Sequence, residues 1–371
     1  MKGQIVSQPQ RIAFFLPSLA GGGAERVIVT LANAMVQRDL TVDLLLSSKS
    51  GPYLEELDPR INVHDLGAGR VITSIRPLRH YIRQQKPAVL LSSLMHANVA
   101  AAIACILARR PLRFLIREAN SIGVKDHYSS LKSMVKVGLA RWAYRQADML
   151  IGVSQGSLAL MFEALDLPDQ HPSRVILNPV IDDKFAAKAR AEPSPSWPWD
   201  DGLPVVLGVG RLVPQKDFST LIHAFARVRQ RASARLIILG EGEERSKLEQ
   251  LALELGVSDD LWMPGFVINP FAHMKRASVY VLSSRWEGLP NTLIQAMACG
   301  TPVVATRCPS GPDEILEDGR WGALVPVGDA EAMACAILNS INGKAGIRPG
   351  EVLHRYDVSH VTQQYLDAML G

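Results

Sequence analysis

The chain has 371 residues, 47% hydrophobic and 20% charged, enough length for two cores and too apolar for a disordered polymer. Its four cysteines, Cys105, Cys299, Cys308 and Cys335, are scattered, with no CxxC pair and no histidine cluster at ligand spacing, which argues against zinc or disulfide scaffolding and for a reducing compartment. The net charge of +4 is uneven: residues 1–185 carry 22 Lys/Arg against 15 Asp/Glu, and the remainder 18 against 21.

No charged-then-apolar leader opens the sequence, and residues 12–16 read as a core strand. RIAFFL, TVDLLL, AVLLSS, RFLIRE and DMLIGVS are apolar runs suited to strands covered on both faces. Helical patterns separate them, from about Ala24, over 94–108 and over 131–147. The longest apolar stretch, 97–108, is shorter than the roughly 20 residues that span a bilayer. Residues 191–204 (AEPSPSWPWDDGLP) are too rich in proline for helix or central strand and predict a linker. Beyond it VVLGVG, RLIILG, SVYVLSS, TPVVAT and GALVPV repeat the strand pattern, with helices beginning near Phe218, Glu244, Asn291 and Ala330, and residues 356–370 form one amphipathic helix. Strands alternating with helices predict two α/β domains, each a doubly wound, mostly parallel sheet, with ligands at the carboxyl ends of the strands.

Three segments carry candidate chemistry. Gly21, Gly22 and Gly23 lie between the first strand and its helix, where the backbone approaches a ligand closely or simply turns tightly; the run is not GxGxxG, so a dinucleotide is disfavoured. After the strand ending at Gly210, Arg211 and Lys216 either sit solvated on a loop or meet two neighbouring phosphates, one as a fork and one as a point charge. In Ser283–Gly300, Glu287 lies in a polar turn and Gln295 one turn inside the following helix. Between Leu289 and Thr292 the backbone N–H groups of Leu289, Asn291 and Thr292 open that helix toward an anion, with Pro290 among them and Gly288 just before as further candidates to line the donor. The basic first half reads as scattered surface charge or as a face for phospholipid headgroups or a phosphorylated lipid carrier. Nucleic acid is disfavoured, since the basic residues are not interleaved with aromatics.

GGGAER, GVGRLVPQKDFSTLIHAF, ILGEGEE, PGF, SSRWEGLPNTLIQAMACGTPVVAT and CPSGPDEIL, in this order and spacing, resemble the glycosyltransferase family 4 group of retaining enzymes. Those enzymes have the GT-B fold, two Rossmann-like domains with an interdomain cleft, and the likeness is closest to bacterial enzymes of capsule, O-antigen or lipid-linked oligosaccharide synthesis. The resemblance implies an acceptor domain at 1–190 with a crossover helix at 356–371, the linker at 191–204, and a nucleotide-sugar domain at 205–355. It implies that Arg211 and Lys216 bind the donor diphosphate, that Gly22 and Gly23 lie across from it, and that Glu287 lies against the donor sugar. Gln295 stands where the family usually has a glutamate on the ribose hydroxyls; an amide both accepts and donates a hydrogen bond. Gly210, Gly240, Phe266 and Val267 match segments that line the nucleotide. His96, in SLMHAN, is a match for an acceptor-side histidine or an ordinary helix-start residue. Arg117, Glu118 and Asn120 replace a histidine-containing turn of some relatives.

The chain has no Asp-x-Asp tripeptide of the kind that holds a divalent ion, so no metal requirement is expected and the charge on the leaving diphosphate falls to Arg211, Lys216 and helix N-termini. The expected reaction moves a sugar from a nucleotide-diphosphate donor, UDP-linked by resemblance, to a glycan or polyprenyl-diphosphate acceptor. It retains configuration by a front-face route, in a protein peripheral to the cytoplasmic face of an anionic plasma membrane. Rival readings are another GT-B enzyme, a UDP-sugar 2-epimerase or a phosphorylase, and a non-catalytic nucleotide-sugar-binding partner.

Overall fold

The computed structural model describes residues 10–119, 131–199, 201–343, 350 and 352–371. They fold as two units, Met1–Pro179 with Asp357–Gly371, and Val180–Tyr356.

The first unit alternates β1 (Arg11–Leu16), α1 (Gly23–Val36), β2 (Thr41–Leu46), β3 (Asn62–Asp65), α2 (Ile75–Gln85), β4 (Val89–Ser93), α3 (Met95–Ala108), β5 (Arg113–Glu118), α4 (Leu131–Tyr144), β6 (Met149–Gly152), α5 (Gln155–Leu165) and β7 (Ser173–Val175). The seven strands form a parallel sheet ordered β3-β2-β1-β4-β5-β6-β7. The period of two in RIAFFL sets the layers. Ile12, Phe14 and Leu16 face the helix α1, while Ala13 and Phe15 face α2 to α5. Each of the Ile, Phe and Leu side chains, fully removed from water, contributes about 1.5–3 kcal/mol, and Ala13 less.

The second unit opens with α6 (Phe185–Arg190) and continues through β8 (Val205–Val209), α7 (Phe218–Arg229), β9 (Arg235–Leu239), α8 (Arg245–Glu254), β10 (Leu261–Gly265), α9 (Pro270–Arg276), β11 (Val279–Leu282), α10 (Asn291–Ala298), β12 (Val303–Thr306), α11 (Pro312–Ile315), β13 (Ala323–Val325) and α12 (Ala330–Ile341). Its six strands are parallel in the order β10-β9-β8-β11-β12-β13. The last helix, α13 (Val358–Leu370), belongs to the first unit, where Val361, Tyr365, Ala368 and Met369 join the core beside α1.

The apolar strands lie where the sequence puts them. The strands β3 (NVHD), β7 (SRV) and β10 (LWMPG) were not expected, because each is a short edge strand with polar residues or a proline in place of an apolar run. The helices α2, α5, α6, α9 and α11 were also not singled out. A larger difference concerns residues 191–204, expected as a linker after a domain ending at 190. The crossings fall instead at 179/180 and 356/357, and the preceding stretch packs on the second unit. Phe185 meets Phe271 at 5.0 Å between ring centroids, and Lys188 O accepts from Asn269 Nδ2 at 2.8 Å. Trp197 lies under the Arg276 guanidinium and Trp199 under that of Arg235, at 5.1 and 4.9 Å. Tryptophan faces held by cations explain why a proline-rich stretch adheres to the unit instead of bridging. Where the chain enters and leaves that unit, Val180 and Ile181 both donate N–H bonds to Tyr356 O, at 2.9 and 3.1 Å.

Candidate functional site

In each sheet the strand order reverses at one point, between β1 and β4 in the first unit and between β8 and β11 in the second. Loops there diverge to opposite sides, leaving the strand ends open to a ligand. The sequence-predicted segments fall on these points: the glycine run follows β1, SLMHAN follows β4, Arg211–Lys216 follows β8 and the Glu287 turn follows β11.

At the second reversal point the loops after β8 and β11 are stitched together. Lys216 lays its aliphatic stem over Gly210, where an added Cβ would meet Cγ, Cδ and Cε at 3.4 Å. Its ammonium reaches Glu287 Oε1 at 2.5 Å, and Ser284 Oγ donates to the same oxygen at 2.6 Å. Below this pair, Ser283 Oγ donates to Lys216 O at 2.7 Å, Arg285 N to Gln215 O at 2.8 Å and Gln215 Nε2 to Trp286 O at 2.9 Å. Arg285 Nε pairs with the buried Asp217 at 3.0 Å. From behind, Thr306 Oγ1 donates to Ser284 O at 2.5 Å and Ser310 Oγ to Gly288 O at 2.8 Å. Glu287 is 6% exposed, so its carboxylate is fixed and partly desolvated. Arg211, by contrast, is exposed, and among the described residues its guanidinium has no ion pair or hydrogen bond. The site thus holds one cation neutralised internally and one uncommitted.

The loops after β8, β9 and β10 touch through their backbones. Gly210 N donates to Leu239 O and Gly240 N to Gly265 O, at 2.9 and 2.8 Å. Gly240 has φ +142°, and a Cβ there would lie 1.9 Å from Gly210 O, so only glycine fits. Past β10, Phe266 is half exposed and Val267 buried. The helix α10 starts at Asn291 with Pro290 at its N-cap and no side-chain cap, and Thr292 Oγ1 accepts from Tyr280 Oη at 2.7 Å. Gln295 is 8% exposed, and among the described residues its amide has no hydrogen-bond partner. Leu289 and Pro290 are buried, Pro290 against Gly311, whose added Cβ would lie 2.7 Å from Pro290 Cδ.

In the first unit, Gly22 is the N-cap of α1, and the Glu25 carboxylate folds back so that a Cβ on Gly22 would lie 2.2 Å from Oε2. Gly23 begins the helix. His96 stands in the first turn of α3, behind Leu94, which holds φ 78° and ψ 128°. Such backbone is costly for leucine and marks the turn as held by its surroundings. Desolvation, with Lys136 nearby, holds the His96 imidazole below its usual pKa.

Arg117 and Glu118, expected on the acceptor side, have side chains in the interior, 1% and 2% exposed. Arg117 donates to Tyr365 Oη at 3.0 Å, Ser93 Oγ at 3.3 Å and Asn178 Oδ1 at 2.6 Å. Glu118 accepts from Tyr144 Oη, and Tyr144 Oη in turn accepts from Asn98 Nδ2 at 2.9 Å. Both hold the strand ends from beneath, because β5 is an interior strand whose side chains are covered on both faces. Asn120 lies outside the described residues. Gln215, Asp217, Ser284, Thr306 and Ser310 were not singled out from sequence; their one signal is polarity at the carboxyl ends of apolar strands.

Two parallel sheets with polar loops gathered at their reversal points define a protein of the GT-B class, two Rossmann-like domains in one chain. Residues 21–184 match the family described as Glycosyltransferase Family 4, and residues 203–342 match Glycosyl transferases group 1; the chain belongs to this glycosyltransferase family. It is similar to the lipopolysaccharide core biosynthesis glycosyltransferase LpsE of Rhizobium meliloti, 28% identical over 94% of this chain and 96% of the relative. It also resembles the N-acetylgalactosamine-N,N'-diacetylbacillosaminyl-diphospho-undecaprenol 4-alpha-N-acetylgalactosaminyltransferase of Campylobacter jejuni, 26% identical over 87% and 88% of the two chains. Among solved structures, Anabaena HepE in complex with UDP-glucose superposes with a TM-score of 0.80, at 22% identity over 96% of this chain and 98% of the other.

Proposed function

We propose that the chain is a metal-independent, retaining transferase that moves a hexosyl or N-acetylhexosaminyl group from a nucleotide-diphosphate sugar, UDP-linked, to a glycan or polyprenyl-diphosphate acceptor in surface polysaccharide synthesis. The donor belongs to the unit Val180–Tyr356, and the acceptor to the unit built from Met1–Pro179 and Asp357–Gly371. The observation that carries the reading is the Lys216–Glu287–Ser284 network beside an uncommitted Arg211, at the second sheet's reversal point. The Campylobacter enzyme, named for a diphospho-undecaprenol-linked acceptor, and LpsE, named for lipopolysaccharide core biosynthesis, support the acceptor class, and HepE in complex with UDP-glucose supports the donor class.

As the bond from the sugar C1 to the β-phosphate oxygen breaks, negative charge grows on the diphosphate. Arg211 takes two of its oxygens as a fork, and Lys216 turns toward it from Glu287. The acceptor oxygen bonds to C1 on the face the phosphate leaves, and its proton passes to the departing phosphate oxygen. Glu287, relieved of Lys216, accepts from a donor-sugar hydroxyl, and Gln295 exchanges hydrogen bonds with the ribose. Metal independence rests on these two cations and on the lack of an Asp-x-Asp tripeptide. With a polyprenyl-linked acceptor the protein works at the cytoplasmic face of an anionic membrane, in peripheral contact with it.

The test incubates UDP-, GDP- and ADP-sugars with a lipid extract, with and without chelator. Transfer from one donor class, unaffected by chelator and with α-anomers retained as α in the product, is expected. Consumption of donor without any acceptor would instead indicate an epimerase, and binding without turnover a non-catalytic partner.

A further inference from the structure

Between Asp65 and Glu118 the sequence has no acidic residue and nine Lys/Arg. None of α2, α3 and α4 contains Asp or Glu, and all three pack on the same face of the first sheet. The cations of α2 (Arg76, Arg79 and Arg83) and of α4 (Lys132, Lys136 and Arg141) therefore stand in one layer, on helices that carry no acid of their own. That layer is also where apolar side chains are left in water. Val135, Leu139 and Trp142 stand at i, i+4 and i+7 on α4, 64%, 42% and 38% exposed, with Met134 beside them at 61%. Ile106 and Leu107, each 46% exposed, lie on the last turn of α3. Six of the twelve exposed large apolar side chains among the described residues thus fall on two adjacent helices. The helices α3 and α4 each return from one parallel strand to the next, so they run in the same direction and their carboxyl ends lie side by side. At that end Arg109 and Arg110, and further along Lys136, are exposed, and none has an ion pair among the described residues.

We propose that this α3–α4 face is the surface by which the protein docks on an anionic phospholipid bilayer, an assignment that rests on the peripheral membrane contact put forward above. The apolar stripe enters the boundary between headgroups and acyl chains, and the flanking cations meet lipid phosphates. A second copy of the chain is the poorer occupant: an isologous contact would set the same cations against each other, whereas the bilayer supplies the opposite charge. The arrangement suits a helix lying along the interface, since the apolar stripe of α4 faces outward while Ala140, Ala143 and Tyr144 are fully buried in the unit's core.

The experiment sediments the full chain with vesicles of phosphatidylcholine alone or mixed with phosphatidylglycerol, at low and high salt. The wild type is expected to bind the mixed vesicles, to ignore the neutral ones and to be released by salt. Val135→Glu with Leu139→Glu should lower the partition coefficient at least about tenfold, and Arg109→Ala with Arg110→Ala about fivefold per charge removed. Leu253→Glu, an equally exposed position on α8, should change nothing. All these positions are exposed, and thermal unfolding of each variant checks that the fold is kept. No binding of the wild type to anionic vesicles ends both the membrane reading and this surface. Binding that the α4 variants leave intact, or that neutral vesicles match, overturns the surface while peripheral contact elsewhere stands. Self-association that disappears in Val135→Glu/Leu139→Glu, without vesicle binding, makes the face an interface between copies and overturns the proposal.

Discussion

Lys216 Nζ lies 2.5 Å from Glu287 Oε1, in a contact that joins the loops after two neighbouring strands 71 residues apart in sequence. The lysine side chain is 17% and the glutamate side chain 7% exposed, so removing the lysine strands a nearly buried anion. Lys216→Ala should destabilise the second unit by about 1–3 kcal/mol, whereas Arg211→Ala, at an exposed and unpaired position, should stay within about 0.5 kcal/mol. Both should lose roughly 10²–10³-fold in donor turnover. Chemical denaturation and initial rates on the same preparations separate the two effects; full activity in either variant removes the diphosphate role.

Gln295 offers an amide that no described neighbour engages. In the folded chain it contributes little, so Gln295→Leu should leave the melting temperature unchanged. On donor binding it should raise the dissociation constant about tenfold, the equivalent of one hydrogen bond of roughly 1.4 kcal/mol. Isothermal titration with the true donor nucleotide checks this, and an unchanged affinity would detach Gln295 from the ribose.

Gly240 tests the backbone side of the site. Alanine there would place its Cβ 1.9 Å from Gly210 O at φ +142°, and the loops after β8 and β9 would have to separate. A loss of about 2–4 kcal/mol is expected, together with most donor binding, since Arg211 follows directly on the displaced carbonyl. By contrast Gly67, where an added Cβ meets nothing within 4 Å, should tolerate Asn with little change. A Gly240→Ala protein of normal stability and affinity would show that the loops are free to part.

His273 sets a pH dependence. It is fully buried on α9, its Nε2 3.2 Å from Pro195 O, and desolvation holds the imidazole below its usual pKa despite that contact. Below about pH 6.5 the unfolded chain takes up a proton that the folded one refuses, so stability is full above that value and falls as pH drops toward the depressed folded pKa. The slope is at most about 1.4 kcal/mol per pH unit for one group. His96 and His171 shift in the same direction. Urea midpoints at about pH 7.5 and 5.5 should diverge more for the wild type than for His273→Gln; identical divergence would clear His273 of any role.

The core strands were legible because a parallel sheet covered on both faces demands unbroken apolar runs, and RIAFFL or RLIIL admits little else. The edge strand NVHD gave no such signal, since half of it meets water. Segments of the site were legible in the same way: Arg211, Lys216 and Glu287 stand at the ends of those runs. The pairing of Lys216 with Glu287 was not, because it depends on β8 and β11 being neighbours, a fact of strand order that no local pattern encodes. Arg117 misled for a related reason. The resemblance implies an acceptor-side place for it, whereas the topology holds it inside with Tyr365, Ser93 and Asn178, three partners from three separate parts of the chain.

The return of α13 to the first unit has a consequence for biosynthesis. Arg117 binds Tyr365, Arg38 donates to Ser359 O at 2.8 Å, and Arg113 Nη1 donates to Gly371 O at 2.8 Å, so the first unit lacks a wall until α13 has been synthesised. The nascent amino-terminal half must wait, with the groove for Val361, Tyr365 and Met369 uncovered, while the second unit is made and folds. A fragment ending at Pro179 should therefore be sticky and short-lived in cells, and supplying residues 357–371 as a separate peptide should rescue it.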